Sequence, residues 1–169
     1  MLVFQYGSNC SECEINGENR LRGDARFSGI AETIDDFELA FDVQSVRRRC
    51  AAADIVRRDG GKVWGVLYEV PDCLMSRATA PDGRKSFDEI EGKKYKRRTL
   101  QVRRPDGTVE SALTYTVKDP QPALRTNSDY VRHIVCGLRE RGVPDEYITK
   151  VKAIAAANNS DIAAEVEAL

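Results

Sequence analysis

The hydrophobic period of this chain changes once. At the extended crossing marked by Pro120 and Pro122, the two-residue repeat of strands gives way to the 3.6-residue repeat of helices. Strands first and helices last describe an α+β order, not the alternating units that build a parallel sheet. Before the crossing, the apolar run Leu2-Val3-Phe4 opens the chain. Phe37, Leu39, Phe41 and Val43 then alternate with Glu38, Ala40 and Asp42, as a half-buried strand does. Residues 53–57 and 62–70 flank Asp59-Gly60-Gly61, which predicts a hairpin. The second arm is apolar nearly throughout, which predicts a central strand. Residues 95–104 and 108–117, joined by Pro105-Asp106-Gly107, predict a second hairpin, and residues 71–85 read as loop with a helical turn.

After the crossing, Val131, Ile134, Val135 and Leu138 fall on one face of a helix. Thr126, Asn127 or Ser128 is its N-cap, and Gly142 stands where a C′ glycine ends it. Pro144 suits the first turn of a second helix, whose buried stripe is Tyr147, Ile148, Val151, Ile154 and Ala155. At 169 residues the chain predicts one domain, residues 1–157, followed by a tail, 158–169, that forms a last helical turn or two or frays.

Charge and cysteine content narrow the function classes. The net charge of −1 gives no overall case for a nucleic-acid or membrane partner, and no apolar run approaches the length of a spanning helix. With no basic, apolar and small-residue leader pattern at the start, the expected location is cytoplasmic. Arginine and lysine cluster at Arg47-Arg48-Arg49, Arg57-Arg58, residues 93–98 and Arg103-Arg104. Solvated strand faces and edges explain these better than a polyanion groove, although they suit the steering of an anionic substrate. The five cysteines are an odd, scattered set. Cys10 and Cys13 have C-x-x-C spacing but lack a second close pair, so unliganded thiols are expected and no metal site. His133 lies beside the apolar stripe of its helix, which favours a boundary position over catalysis.

Two segments carry the chemistry. Tyr6-Gly7-Ser8-Asn9 ends the first strand in a bend whose backbone N–H groups form a cradle for an anionic or carbonyl oxygen. Far along the chain, Asp88, Glu89 and Glu91 offer carboxylates for proton transfer, although acids are also common where short helices begin.

These segments occur in an ordered set: Tyr6-Gly7-Ser8-Asn9, Val63-Trp64-Gly65-Val66-Leu67-Tyr68, Asp88-x-x-Glu91-Gly92 with Tyr95, Thr114-Tyr115, and Tyr130-x-x-x-Ile134 running into Gly142-Val143-Pro144-x-x-Tyr147. The set covers roughly residues 1–155 and resembles the γ-glutamylcyclotransferase-like family, which includes the AIG2-like proteins and γ-glutamylamine cyclotransferases. The resemblance implies a mixed, β-barrel-like sheet with helices packed outside it. It implies that Glu91 is the catalytic acid and base, that Tyr6, Gly7, Ser8 and Asn9 bind the γ-glutamyl group, and that Tyr95, Tyr115 and Tyr130 surround the pocket. It also implies an enzyme without a cofactor, a monomer or homodimer, that converts a small γ-glutamyl substrate to 5-oxoproline and an amine or amino acid. A γ-glutamyl acyltransferase and a non-catalytic binding module of the same fold are the alternatives. Two departures from the family pattern, Cys10 after the first motif and a long stretch from Cys73 to Ser86, bear on which leaving group fits.

Overall fold

The computed structural model describes residues 1–169. Five strands close into a barrel: β1 (Leu2–Gln5), β2 (Arg26–Thr33), β5 (Trp64–Glu69), β6 (Tyr95–Arg103) and β7 (Val109–Val117), in the order β1-β5-β2-β6-β7. All pairs are antiparallel except β1 with β7, which meet in parallel at Val3 and Leu113. β3 (Phe37–Ser45) and β4 (Cys50–Arg57) form a separate two-stranded ribbon. α1 (Glu12–Ile15) and α2 (Phe87–Glu91) are single turns; α3 (Ser128–Glu140), α4 (Asp145–Asn158) and α5 (Ala163–Glu167) complete the molecule. The expected α+β barrel is therefore present, with β5 at the centre of three strands as its apolar sequence required.

The hairpin across Asp59-Gly60-Gly61 is not formed. β4 pairs with β3 and β5 pairs with β1 and β2, so this turn carries the chain from the ribbon into the barrel. Gly60 does have the positive φ of a tight turn, and Gly61 passes so close to the Phe37 carbonyl that a Cβ would lie 2.5 Å from its oxygen. Glycine marks the bend here but not the strand it joins. The hairpin at Pro105-Asp106-Gly107 does form, with β6 and β7 in unbroken register and Gly107 at φ +88°.

β2 and α1 carry no pattern that identified them. In β2 only Ala31 and Thr33 are buried, Phe27 is exposed, and a bulge at Ser28 and Gly29 breaks the alternation. Without two-residue periodicity, pairing within the closed barrel alone makes this segment a strand.

The helices follow their apolar faces. Val131, Ile134, Val135 and Leu138 are fully buried, Asn127 caps α3 by accepting from the Tyr130 N–H, and Gly142 ends it at φ +75°. Pro144 is the N-cap residue of α4, one position before its first turn. Residues 160–167 form a 3₁₀ turn and α5, and Ile162 and Val166 join the same core as the barrel.

Candidate active site

The short helix α2 presents Glu91, and its sequence explains how five residues hold a helix. Ser86 accepts from the Glu89 N–H while the Glu89 carboxylate accepts from the Ser86 N–H, a capping box that contributes about 1 kcal/mol. Phe87 is fully buried edge-on against Tyr115, their ring centroids 5.3 Å apart. Gly92 terminates the helix at φ +84°, immediately after Glu91.

On the other side, β1 runs into the 3₁₀ turn Ser8–Cys10. No protein group accepts from the backbone N–H of Gly7, Ser8 or Asn9. Backbone donors left without partners are rare where water is excluded, so these three are available to an oxygen ligand. Helix α3 packs directly behind the turn. A Cβ on Gly137 would lie 2.5 Å from the Ser11 nitrogen and 2.8 Å from the Cys10 carbonyl carbon.

The two halves are joined through Asn9, whose Nδ2 donates to Glu91 Oε1 at 2.8 Å while its Oδ1 accepts from Arg20 Nη2. A guanidinium has no acceptor, so Arg20 fixes the amide with its oxygen toward the guanidinium and its NH2 group toward Glu91. Burial raises the Glu91 pKa to about 7; the Arg20 charge and the Asn9 hydrogen bond pull in the opposite direction without overcoming it. Glu91 is thus a carboxyl group balanced between its two protonation states near neutral pH.

Tyr6, Gly7, Ser8, Asn9, Glu91, Tyr95, Tyr115 and Tyr130 all line one cleft of about 480 Å³. The tyrosines are held through their hydroxyl groups. Tyr95 donates to the Ala53 carbonyl at 2.9 Å, Tyr130 accepts from the Ala53 N–H at 3.1 Å, and Tyr6 donates to the Tyr115 carbonyl. β4 therefore spends the polar groups of one residue on two site tyrosines. Burial pushes the Tyr130 hydroxyl up to about 12, and burial likewise raises Tyr6, Tyr95 and Tyr115, so all four remain neutral hydrogen-bonding groups. Tyr115 differs in that its hydroxyl donates to Asp88 Oδ1 at 2.8 Å, and Asp88 is also paired with Arg97.

Other sequence features fall outside the cleft. Cys10, which follows the cleft residue Asn9, is buried with its thiol donating to the Gln5 carbonyl, whereas Cys13 is exposed; neither side chain lines the cleft. Of the stretch from Cys73 to Ser86, only Lys85 reaches the cleft, and Arg84 ties the segment to Leu21 and Asp24. His133 is half-buried at the boundary of its helix, with Nδ1 3.6 Å from Glu14 Oε1, and burial lowers its pKa. The basic clusters divide. Arg57 and Arg98 lie over the Phe37 ring and Arg104 pairs with Glu110, whereas Arg47, Arg48, Lys93 and Lys94 line the cleft. Arg20 has no marker in the sequence; its role arises from a loop returning to Asn9. The Ser86-x-x-Glu89 capping box, by contrast, is a readable signal for the start of α2.

Comparison with known proteins bears on the family and the fold. Residues 62–151 match the AIG2-like family. The chain is 30% identical over 160 residues to a mouse protein named γ-glutamylcyclotransferase and 28% identical to the human protein of that name, covering 90% of this chain and 78% of each relative. A solved structure described as a γ-glutamyl cyclotransferase superimposes with a TM-score of 0.75 at 25% identity, covering 91% of this chain and 87% of the other. Barrel, cleft and sequence similarity lead to one assignment: the chain belongs to the AIG2-like, γ-glutamylcyclotransferase-like family.

Proposed function

We propose that this protein is a γ-glutamyl cyclotransferase that releases 5-oxoproline and an amine, with Glu91 as the general acid and base. The observation that carries this reading is the neutral-range Glu91 carboxyl hydrogen-bonded to Asn9 at the edge of a turn with three unpaired backbone donors.

The reaction is intramolecular. The α-amine nitrogen of the γ-glutamyl group attacks its own γ-carbonyl carbon, a C–N bond closes the five-membered lactam, and the amide bond to the leaving amine breaks. Because both reacting atoms belong to one molecule, most of the task is to fold the substrate into a reactive shape. The N–H groups of Gly7, Ser8 and Asn9 suit the α-carboxylate or the oxyanion that develops on the γ-carbonyl. The neutral hydroxyls and rings of Tyr6, Tyr95, Tyr115 and Tyr130 form the remaining wall.

The proton inventory balances through one residue. The α-ammonium sheds one proton to solvent to expose its lone pair; as the C–N bond forms, Glu91 takes a second proton from the same nitrogen and returns it to the nitrogen of the departing amine. A solvated glutamate with pKa about 4.3 is a weak base for this step, and burial corrects that. Arg20 acts as a positioning residue: it sets the Asn9 amide, and Asn9 sets the carboxylate.

The test is Glu91→Gln assayed for 5-oxoproline on a panel of γ-glutamyl peptides. The expected loss of kcat is at least about a hundredfold, the usual contribution of a general acid or base, with an unchanged circular dichroism spectrum. Retention of wild-type turnover would exclude Glu91 and the mechanism with it.

A further inference from the structure

The cleft is far more basic than the molecule that contains it. The protein as a whole has a net charge of −1. The cleft lining nevertheless includes six cations, Arg20, Arg47, Arg48, Lys85, Lys93 and Lys94, against two carboxylates, Glu89 and Glu91. The carboxylates offset only part of this, since Glu89 keeps its negative charge. Glu91 is balanced near neutrality, and Glu89 is engaged by the Ser86 N–H and hydroxyl.

The cations come from four separate parts of the chain: the loop after α1, the turn between β3 and β4, the residue before the α2 cap, and the residues after Gly92. Their commitments differ. Arg20 is occupied by Asn9, and Arg47 and Arg48 share Glu14 at 2.9 and 2.7 Å. Lys85, Lys93 and Lys94 have no carboxylate partner, and Lys94 bonds only the Gln44 carbonyl. All three lysines are exposed, on the two chain segments that flank the helix bearing Glu91. A single lysine there would be an ordinary solvated side chain. Convergence of unpaired cations on one cleft of a protein with net charge −1 creates a positive potential at that cleft.

Building on the cyclotransferase reading, we infer that the preferred substrates are γ-glutamyl compounds whose leaving amine is itself anionic, such as an acidic amino acid, with Lys85, Lys93 and Lys94 as the specificity-determining residues. Glu91 and the Gly7–Asn9 turn handle the glutamyl half, which every substrate shares. The lysines read the other half by charge. Because they are solvated, each contributes a modest factor, roughly 1.5- to fivefold, and several acting together reach about tenfold.

γ-Glutamyl-glutamate and γ-glutamyl-glutamine have nearly the same shape and differ by one negative charge. The expected result is a kcat/KM about tenfold higher for γ-glutamyl-glutamate, expressed mainly in KM and shrinking as ionic strength rises. In a Lys85→Gln/Lys93→Gln double variant, the ratio of the two kcat/KM values falls toward one. γ-Glutamyl-ε-lysine, whose leaving group carries an added ammonium, ranks below both. Calorimetric binding of the two peptides to Glu91→Gln reads the same preference without turnover. Equal binding, no binding of either peptide, or a ratio unaffected by the double variant overturns the inference. Turnover without charge preference removes this inference alone, whereas charge-selective binding without 5-oxoproline from the wild-type protein removes the cyclotransferase reading and leaves the basic cleft in place.

Discussion

Glu91 acquires its chemistry from what surrounds its carboxyl, not from its identity as a glutamate. Asp88 and Glu89, its neighbours on the same helix, are diverted to other tasks: Asp88 pairs with Arg97 and Tyr115, and Glu89 closes the capping box. Only Glu91 combines loss of hydration with a hydrogen bond from Asn9. The sign of the Arg20 effect gives a prediction. Its positive charge lowers the Glu91 pKa, so removing it raises that pKa, and the fraction of Glu91 able to accept a proton falls at pH 7. The acid limb of the kcat/KM profile, expected at about 7 in the wild type, moves to higher pH in Arg20→Gln, with a loss on the order of tenfold at pH 7. Arg20→Lys restores part of it by restoring the charge. A uniform loss of rate with no movement of the limb would mean that Arg20 only supports the loop.

At the scale of elements, three pieces too short to be stable alone make the site. β1, the 3₁₀ turn after it and the five-residue α2 each depend on a partner that covers them. For the turn that partner is α3, which approaches through Gly137. The atoms that a Cβ there would strike belong to the Ser11 and Cys10 backbone, which cannot rotate aside. Gly137→Ala therefore forces the helix and the turn apart, at a cost of about 1–3 kcal/mol. Its chemical denaturation midpoint drops accordingly, and KM for γ-glutamyl substrates rises because the displaced atoms continue into the Gly7–Asn9 donors. An alanine variant with wild-type stability and KM would show that the contact relaxes without cost.

The whole molecule stores a pH dependence outside the cleft, where the β3–β4 ribbon meets the barrel. Asp42 is the bulge residue of β3, and Asp54 on β4 accepts from the Val117 N–H of β7 at 2.9 Å. Burial, then the Asp54 charge, raises the Asp42 pKa to about 6, and Asp42 Oδ1 has no hydrogen-bond partner. A carboxyl whose pKa is higher folded than unfolded contributes stability at low pH and loses it as pH rises through the folded value. Asp42→Asn is therefore expected to be more stable than the wild type above about pH 6, by about 1–2 kcal/mol at pH 8 after allowance for solvent screening, with the gain vanishing below pH 4. Denaturant titrations at pH 5 and pH 8 measure this directly.

The features legible in the sequence were those enforced by local rules. Two-residue alternation in residues 37–41, the glycine turn at Gly107 and the helical face from Val131 to Leu138 depend on nearest neighbours along the chain and stand in the structure as their patterns required, whereas the bulge at Asp42 buries a residue that the alternation turned outward. The site residues that gather in the cleft were visible only as separate motifs whose order resembled a known family. Pairing was the part left to tertiary structure. Nothing local tells Asp59-Gly60-Gly61 to hand the chain from ribbon to barrel instead of folding it back, and nothing local makes Arg26–Thr33 a strand. Those outcomes follow from closing the barrel, in which every strand must find two neighbours and the apolar β5 takes the centre of three. The same holds for function: the sequence alone supplied a glutamate, an asparagine and scattered basic residues. Only folding put Arg20 behind Asn9, withdrew water from Glu91 and turned unpaired lysines toward the same cleft, because burial and charge proximity are properties of space and not of order along the chain.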